Sequence, residues 1–203
     1  FASLQANIQH TYALKLRRTK ALGVSAMMHG YLPFDSEGRQ LAAFRTWRNT
    51  MTSQAAEELG TLFDYPVPER WSISHLYQAI LNKEEHVKDL GFLTTLAGYV
   101  HWQLTGEKVL GIGDASGMFP VDTKTGRYDT RMLKAFADLT RAYKFPWQLE
   151  TVLPSILTAG DHAGNLTETG ALLIDPSGTL EAGIPLCPPE GDAGTGMVAT
   201  NSI

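Results

Sequence analysis

Asp192 stands in a run of small residues, Pro188-Pro189-Glu190-Gly191-Asp192-Ala193-Gly194-Thr195-Gly196-Met197. Two prolines fix the backbone before it, and an apolar Met197-Val198-Ala199 follows. Glycines let the main chain approach a ligand closely or adopt positive φ. An aspartate in such a setting can serve as a general base, bind a metal or close a turn. On residue types alone the turn is the preferred reading, because Asp and Gly are ordinary turn formers.

Two further groups could do chemistry. His29-Gly30 follows an apolar run, Ala21 to Met28, and Arg45-Thr46-Trp47-Arg48-Asn49 is a dense polar and aromatic cluster after a second apolar run, Leu41 to Phe44. Both sit at the ends of expected strands, which is where ligands bind in open α/β sheets. A solvated loop histidine and a core-packed tryptophan are equally good readings of His29 and Trp47 on residues alone. Asp161 and His162 lie in a Gly- and Thr-rich stretch and carry no site expectation.

The glycine-rich Gly111-Ile112-Gly113-Asp114-Ala115-Ser116-Gly117 invites a nucleotide motif. A dinucleotide fingerprint needs Gly-x-Gly-x-x-Gly opening a helix. Here the third glycine is one place late, and Met118-Phe119-Pro120 follows. A phosphate loop needs Gly-Lys-Ser/Thr, which neither this run nor Gly191 to Met197 contains. Neither motif is met.

Elements able to position these residues can be read along the chain. Phe1 to about Lys20 reads as an amphipathic helix, with Leu4, Ile8, Tyr12 and Leu16 at helical spacing. A strand over 21–28 and a hairpin turning at Asp35 to Arg39 follow. A helix is expected over Thr50 to Phe63, capped by Thr50 or Thr52, and another after Ser72 or Ser74. A long helix is expected from about Glu84 to Thr105 with Gly106 as its stop; His101 and Trp102 ride on it as packing residues. Lys108-Val109-Leu110 reads as a strand, and Asp129 to Tyr143 as a helix with Asp129 as its N-cap. Leu149 to Leu157 is partly extended, and Asp175-Pro176-Ser177-Gly178 is a turn. Helix alternating with strand is the grammar of an α/β protein.

The whole-chain quantities bound the function class. The 203 residues, 43% hydrophobic and 19% charged, suit one large domain with a substantial core. A net charge of −4 leaves no basic footprint for nucleic acid. No apolar run approaches membrane-spanning length. The single cysteine, Cys187, excludes an internal disulfide and fits a reducing, cytoplasmic setting. No Cys/His spacing points to a structural metal site, and no metal ligand is expected. The chain opens without Met inside a helical pattern and stops at Ile203 as an apolar element begins, so a piece of a longer protein is expected.

With these segments in place the chain resembles the FGGY carbohydrate kinases, the group that includes xylulokinase and glycerol kinase. Met28-His29-Gly30 looks like the family's sugar loop, and Arg45 to Asn49 falls where the family has a second, Trp/Arg-containing substrate loop. Gly113-Asp114-Ala115-Ser116-Gly117 matches its Asp-Ala-Ser-Gly turn. Glu190-Gly191-Asp192 falls where the family has Gly-Asp and small residues, and that Asp is the family's catalytic base. Ala193-Gly194-Thr195 stands where xylulokinases usually have Asn-Ala-Ala.

The resemblance implies an α/β, RNase H-like domain of the actin and hexokinase type, a mixed sheet flanked by helices. Residues 1–203 would be most of the N-terminal sugar-binding domain, lacking its first phosphate-binding hairpin and the C-terminal ATP-binding domain. It implies ATP-dependent phosphorylation, with Mg²⁺, of a sugar or polyol hydroxyl, a pentulose such as xylulose first. Asp192 would be the base. Met28, His29, Arg45, Trp47 and Asp114 would bind substrate, and Gly191, Gly194 and Thr195 are candidates for nucleotide contact. The partner would be the protein's own ATP-binding domain. The isolated piece is expected to be inactive, and its bared inter-domain face makes a homodimer a further expectation. The alternative is a sugar-binding or regulatory module that does not phosphorylate.

Overall fold

The computed structural model describes residues 1–202. The helices are α1 Ala2–Tyr12, α2 Ser53–Phe63, α3 Ser72–Leu81, α4 Leu96–Thr105, α5 Ile112–Ala115, α6 Thr130–Thr140, α7 Leu149–Val152, α8 Glu168–Ile174 and α9 Asp192–Ala199. The strands are short: β1 Ser25–Ala26, β2 Leu32–Phe34, β3 Phe92–Thr94, β4 Val109–Gly111, β5 Val121–Asp122, β6 Arg127–Tyr128, β7 Ser155–Leu157 and β8 Glu190–Gly191.

The expected mixed sheet is present in pieces. β1 pairs with β8 and β4 with β7, both in parallel; β2 pairs with β3 and β5 with β6, both antiparallel. The parallel pairs are joined where Gly111 N–H donates to Pro189 O at 2.8 Å, while within the β1–β8 pair Glu190 N–H donates to Val24 O at 3.0 Å. Pro188 and Pro189 have no N–H to give, so the ladder between β4 and the chain entering β8 cannot continue.

The main core gathers Tyr31, Leu59, Phe63, Leu76, Leu93, Leu110, Met118, Phe119 and Phe136 beneath α2, α3, α6 and β4. A second cluster, Leu104, Leu166, Ile184 and Leu186, packs α4 on α8. Leu32, Phe34 and Phe92 form a third, with Tyr99 and Trp102 against them.

Several expectations are corrected. The first helix ends at Tyr12 rather than Lys20, because Ala13 turns left-handed at φ 53° and the Gln5 side chain bonds both the N–H and the C=O of Leu16. The long helix over 84–105 is three elements: a 3₁₀ turn at Glu85–Asp89, β3 and α4. Gly91 N–H bonds Phe34 O and β3 pairs with β2, so a tertiary ladder wins over the helical stripe. Thr95 then starts α4 by accepting from Gly98 N–H, and Gly106 ends it at φ 80° as the sequence implies. The return of the hairpin, Leu41 to Phe44, is held by isolated bridges, Phe34 to Gln40 and Tyr31 to Arg45. Asp129 caps α6 as expected, accepting from Met132 N–H. Thr52, Ser72 and Ser74 make no cap bond; their hydroxyls donate to Glu69 O, Gly30 O and Pro68 O. The run after Gly191 is helix α9 rather than a loop.

Candidate active site

The parallel pair β1 and β8 delivers two chain segments to one end. Past β1 come Met28, His29 and Gly30; past β8 comes Asp192, the first residue of α9. Met28 N–H donates to Asp192 Oδ1 at 3.2 Å, which closes the pair across its open end. Asp192 is exposed and carries no other protein hydrogen bond on its carboxylate among the described residues. A carboxylate held by one amide, with a free oxygen toward solvent, can accept a proton or orient a hydroxyl.

His29 takes a left-handed conformation at φ 66°, and Gly30 follows at φ 86°. Two successive positive φ values turn the chain sharply, and a non-glycine residue there needs outside support. The support comes from the start of α3: Gly30 N–H donates to Arg70 O at 3.0 Å, and the buried Ser72 hydroxyl donates to Gly30 O at 2.6 Å. The His29 Nδ1 lies 3.2 Å from Gly117 O. A carbonyl only accepts, so Nδ1 carries the proton and Nε2 keeps its lone pair. Burial holds the imidazole below its usual pKa; the Gly117 bond opposes this and the Arg70 charge adds to it. The ring is therefore neutral near pH 7, with Nε2 as an acceptor for a hydroxyl.

Gly117 lies close against the His29 ring. A Cβ there would lie 2.4 Å from His29 Nδ1 and 3.2 Å from Met28 Cε.

Asp114 lies under this surface rather than on it. It is fully buried and accepts from the Thr95 hydroxyl at 2.6 Å, while its Oδ1 has no partner among the described residues. Burial pushes its carboxyl up to about 7; the Thr95 bond pulls the other way, and the charges of Glu190 and Asp192 push it further up. Placed this way, its one side-chain bond ties the Gly111 to Gly117 turn to the start of α4. The Ser116 hydroxyl bonds Gly113 O, not Asp114.

The second loop is attached to the first by backbone. Tyr31 N–H donates to Arg45 O at 2.8 Å and Arg45 N–H to Tyr31 O at 3.2 Å. The Arg45 guanidinium, however, turns inward. It pairs with Glu84 and lies 5.2 Å over the Tyr31 ring, with little of its surface exposed. In this arrangement its charge is directed to Glu84 rather than to the surface, because a half-buried cation needs its counter-ion. Trp47 is 46% exposed and stacks on Arg48 at 5.0 Å. The loop bounds a shallow concavity lined by Phe44, Arg45, Thr46, Arg48 and Asn49, separate from Asp192.

Of the candidate nucleotide residues, Gly191 ends β8, and Gly194 and Thr195 lie on the first turn of α9. The Thr195 hydroxyl is 3.0 Å from Gly191 O and 2.6 Å from the Ser25 hydroxyl. Gly191 is packed on Met28, and Gly194 faces open space.

Two participants carry no sequence-level assignment. Gly117 supplies the acceptor for His29, and Glu190 accepts from Asp114 N–H at 2.9 Å. A glycine carbonyl and a carboxylate bonded 76 residues away leave no local signal. Among the described residues no group of three or more His, Cys, Asp or Glu side chains could hold a metal ion.

The chain matches the FGGY family of carbohydrate kinases, N-terminal domain, over residues 1–198. No curated protein sequence matches it. Solved structures do. The xylulose kinase of Lactobacillus acidophilus, in a ligand-bound structure, is 17% identical over 100% of this chain and 40% of its own, with a TM-score of 0.75. The gluconate kinase of Lactobacillus acidophilus is 16% identical over 100% and 40%, with a TM-score of 0.76. Plasmodium falciparum glycerol kinase with ADP is 17% identical over 91% and 36%, with a TM-score of 0.69. The chain thus spans about 40% of the length of the structures it resembles. At these identities the likeness establishes the fold, the α/β RNase H-like arrangement of the actin and hexokinase type. With a family match across nearly its whole length, the chain belongs to the FGGY family of carbohydrate kinases, in their N-terminal domain.

Proposed function

We propose that this chain is the sugar-binding part of an ATP-dependent kinase for a sugar or polyol, a pentulose such as xylulose first, with Asp192 as its general base. The observation that carries the reading is the meeting of Asp192 and the Met28-His29-Gly30 turn at one strand end. The substrate hydroxyl would give its proton to Asp192 as its oxygen bonds the terminal phosphorus of ATP and the bond from that phosphorus to the ADP oxygen breaks. His29 Nε2 would accept from a second hydroxyl, and Met28 would offer an apolar contact.

Among the described residues no cluster of side chains forms a metal cage. In this reading Mg²⁺ comes with the nucleotide, as is usual for a cation held mainly by phosphates. The nucleotide would be gripped chiefly by a second domain. Gly194 and Thr195, on the first turn of α9, are the residues of this chain nearest to such a role.

A general base contributes about 10² to 10⁴ in rate. In the full-length kinase Asp192→Asn should lower turnover by that factor and leave sugar affinity nearly unchanged. The assay is ADP release with Mg-ATP across ketopentoses, pentitols, deoxy-sugars, aldonates and glycerol. Turnover confined to one or two of these names the substrate. Silence across the panel, with a sugar still raising the melting temperature, would favour a binding module without phosphotransfer. Equal loss of binding and turnover in Asp192→Asn would count against the base assignment.

A further inference from the structure

Helix α5 begins without a cap of its own. Its N-cap is Gly111, which has no side chain to accept the N–H groups of the first turn. An N-cap Ser, Thr, Asp or Asn normally bonds the second or third helical amide. Here those amides belong to Gly113 and Asp114, and both point at Glu190: Gly113 N–H to Oε1 at a long 3.4 Å, and Asp114 N–H to Oε2 at 2.9 Å. The carboxylate also occupies the place a side chain at 111 would take. A Cβ on Gly111 would lie 2.1 Å from Oε1 and 2.3 Å from the carboxyl carbon of Glu190.

Glu190 is held from its other side as well. It pairs with Ser25 in the β1–β8 register, and its N–H donates to Val24 O at 3.0 Å. One residue before it, Pro189 O accepts from Gly111 N–H. Two residues after it comes Asp192, and β1 leads on to Met28, the donor to Asp192. The single residue Glu190 thus fastens α5 by its side chain and β1 by its main chain, at the root of the turn that presents Asp192.

We infer that Glu190 is a positioning residue: it supplies the N-cap of α5 from another strand and thereby fixes where Asp192 stands. The inference builds on the kinase reading for its activity readout. It does not depend on that reading for its structural one.

The test uses the full-length protein with Glu190→Gly, Glu190→Gln and the exchange Gly111→Asp with Glu190→Gly, which moves the carboxylate to the N-cap itself. Hydrogen–deuterium exchange is followed on peptides covering 112–115 and 27–29, beside turnover and the KM for sugar. Glu190→Gly should speed exchange in both peptides about fivefold, as loss of a helix cap does. It should lower kcat about 10²-fold with KM within about twofold, the scale of a base displaced by ~1 Å. Glu190→Gln keeps one acceptor and should fall between. It also keeps the proposal testable if the glycine variant does not fold. The exchange variant should recover protection at 112–115 but neither that at 27–29 nor kcat, because the cap is then local and the tie from α5 to β8 is gone. Unchanged protection at 27–29 in Glu190→Gly overturns the inference. So does an exchange variant that regains protection at 27–29 and most of kcat, since a cap on α5 alone would then suffice without the tie to β8. A wild-type protein that turns over no sugar removes the kinase reading, while exchange at the two peptides still decides the role of Glu190.

Discussion

Gly117→Ala probes the site by adding a single methyl group. The new Cβ would stand 2.4 Å from His29 Nδ1 and 2.7 Å from Cε1. Ordinary contact begins at 3.4 Å, so the imidazole has to retreat by at least about 1 Å (3.4 minus 2.4). That retreat breaks the bond from Nδ1 to Gly117 O, which fixes both the ring and its tautomer. A net loss of about 1 kcal/mol in stability follows from one such bond. A ~1 Å misplacement of a substrate-positioning group costs about 10²-fold in rate. The sugar-dependent kcat/KM should therefore fall about 10²-fold, chiefly through KM, because His29 is assigned to binding and not to proton transfer. The assay is steady-state turnover of the full-length kinase, run as a cycle with His29→Ala. In the His29→Ala background the alanine at 117 should cost almost nothing, since the group it displaces is gone. Equal losses in both backgrounds would refute the reasoning, and so would an unchanged KM in Gly117→Ala.

Other expectations concern stability and pH. His75 is fully buried, neither ring nitrogen has a partner among the described residues, and burial, then the Arg45 charge, lowers its pKa to about 4. The unfolded chain binds this proton near 6.5, so stability falls as pH drops from about 6.5 towards 4, by roughly 3 kcal/mol at 1.36 kcal/mol per unit. His75→Phe should lose that much less across the same range in urea melts, and parallel curves would contradict this. Asp114 has the opposite sign: its carboxyl is raised to about 7, so ionising it costs stability as pH climbs from about 4 through 7. Asp114→Asn should stabilise the protein at pH 8 and change little at pH 4, as read by melting temperature. Ser72→Ala removes the hydroxyl on Gly30 O and should cost about 1–3 kcal/mol, with sugar KM rising because the left-handed His29 turn loses its brace. A raised KM with unchanged stability would show that Gly30 O finds another donor.

What could be read from the chain alone is what local chemistry writes into adjacent residues. Asp129 ahead of the apolar face of α6 announces a cap and a helix, and Gly106 announces the end of α4. Met28-His29-Gly30 and Glu190-Gly191-Asp192 could be singled out by their likeness to the family's sugar loop and catalytic-base segment, since on residue types alone they read as well as a solvated loop and a turn. Their meeting across β1 and β8 is a matter of tertiary structure, since a parallel pair joins segments separated by a long crossover. The same holds for each departure from expectation. Residues 84–105 carry a helical stripe, yet the ladder to β2 and the buried Phe92 and Leu93 decide for a strand. Arg45 looks like a ligand group in sequence, but Glu84 and Tyr31 claim its guanidinium inside the fold. Asp114 looks like a surface carboxylate in a glycine-rich turn, and the packing of α4 and β4 buries it against Thr95. Glu190 shows no cap signature, because the helix it caps lies 76 residues away. Helix caps and turns are contests between neighbouring residues, which a sequence displays. The partner of a buried charge is chosen by the whole fold.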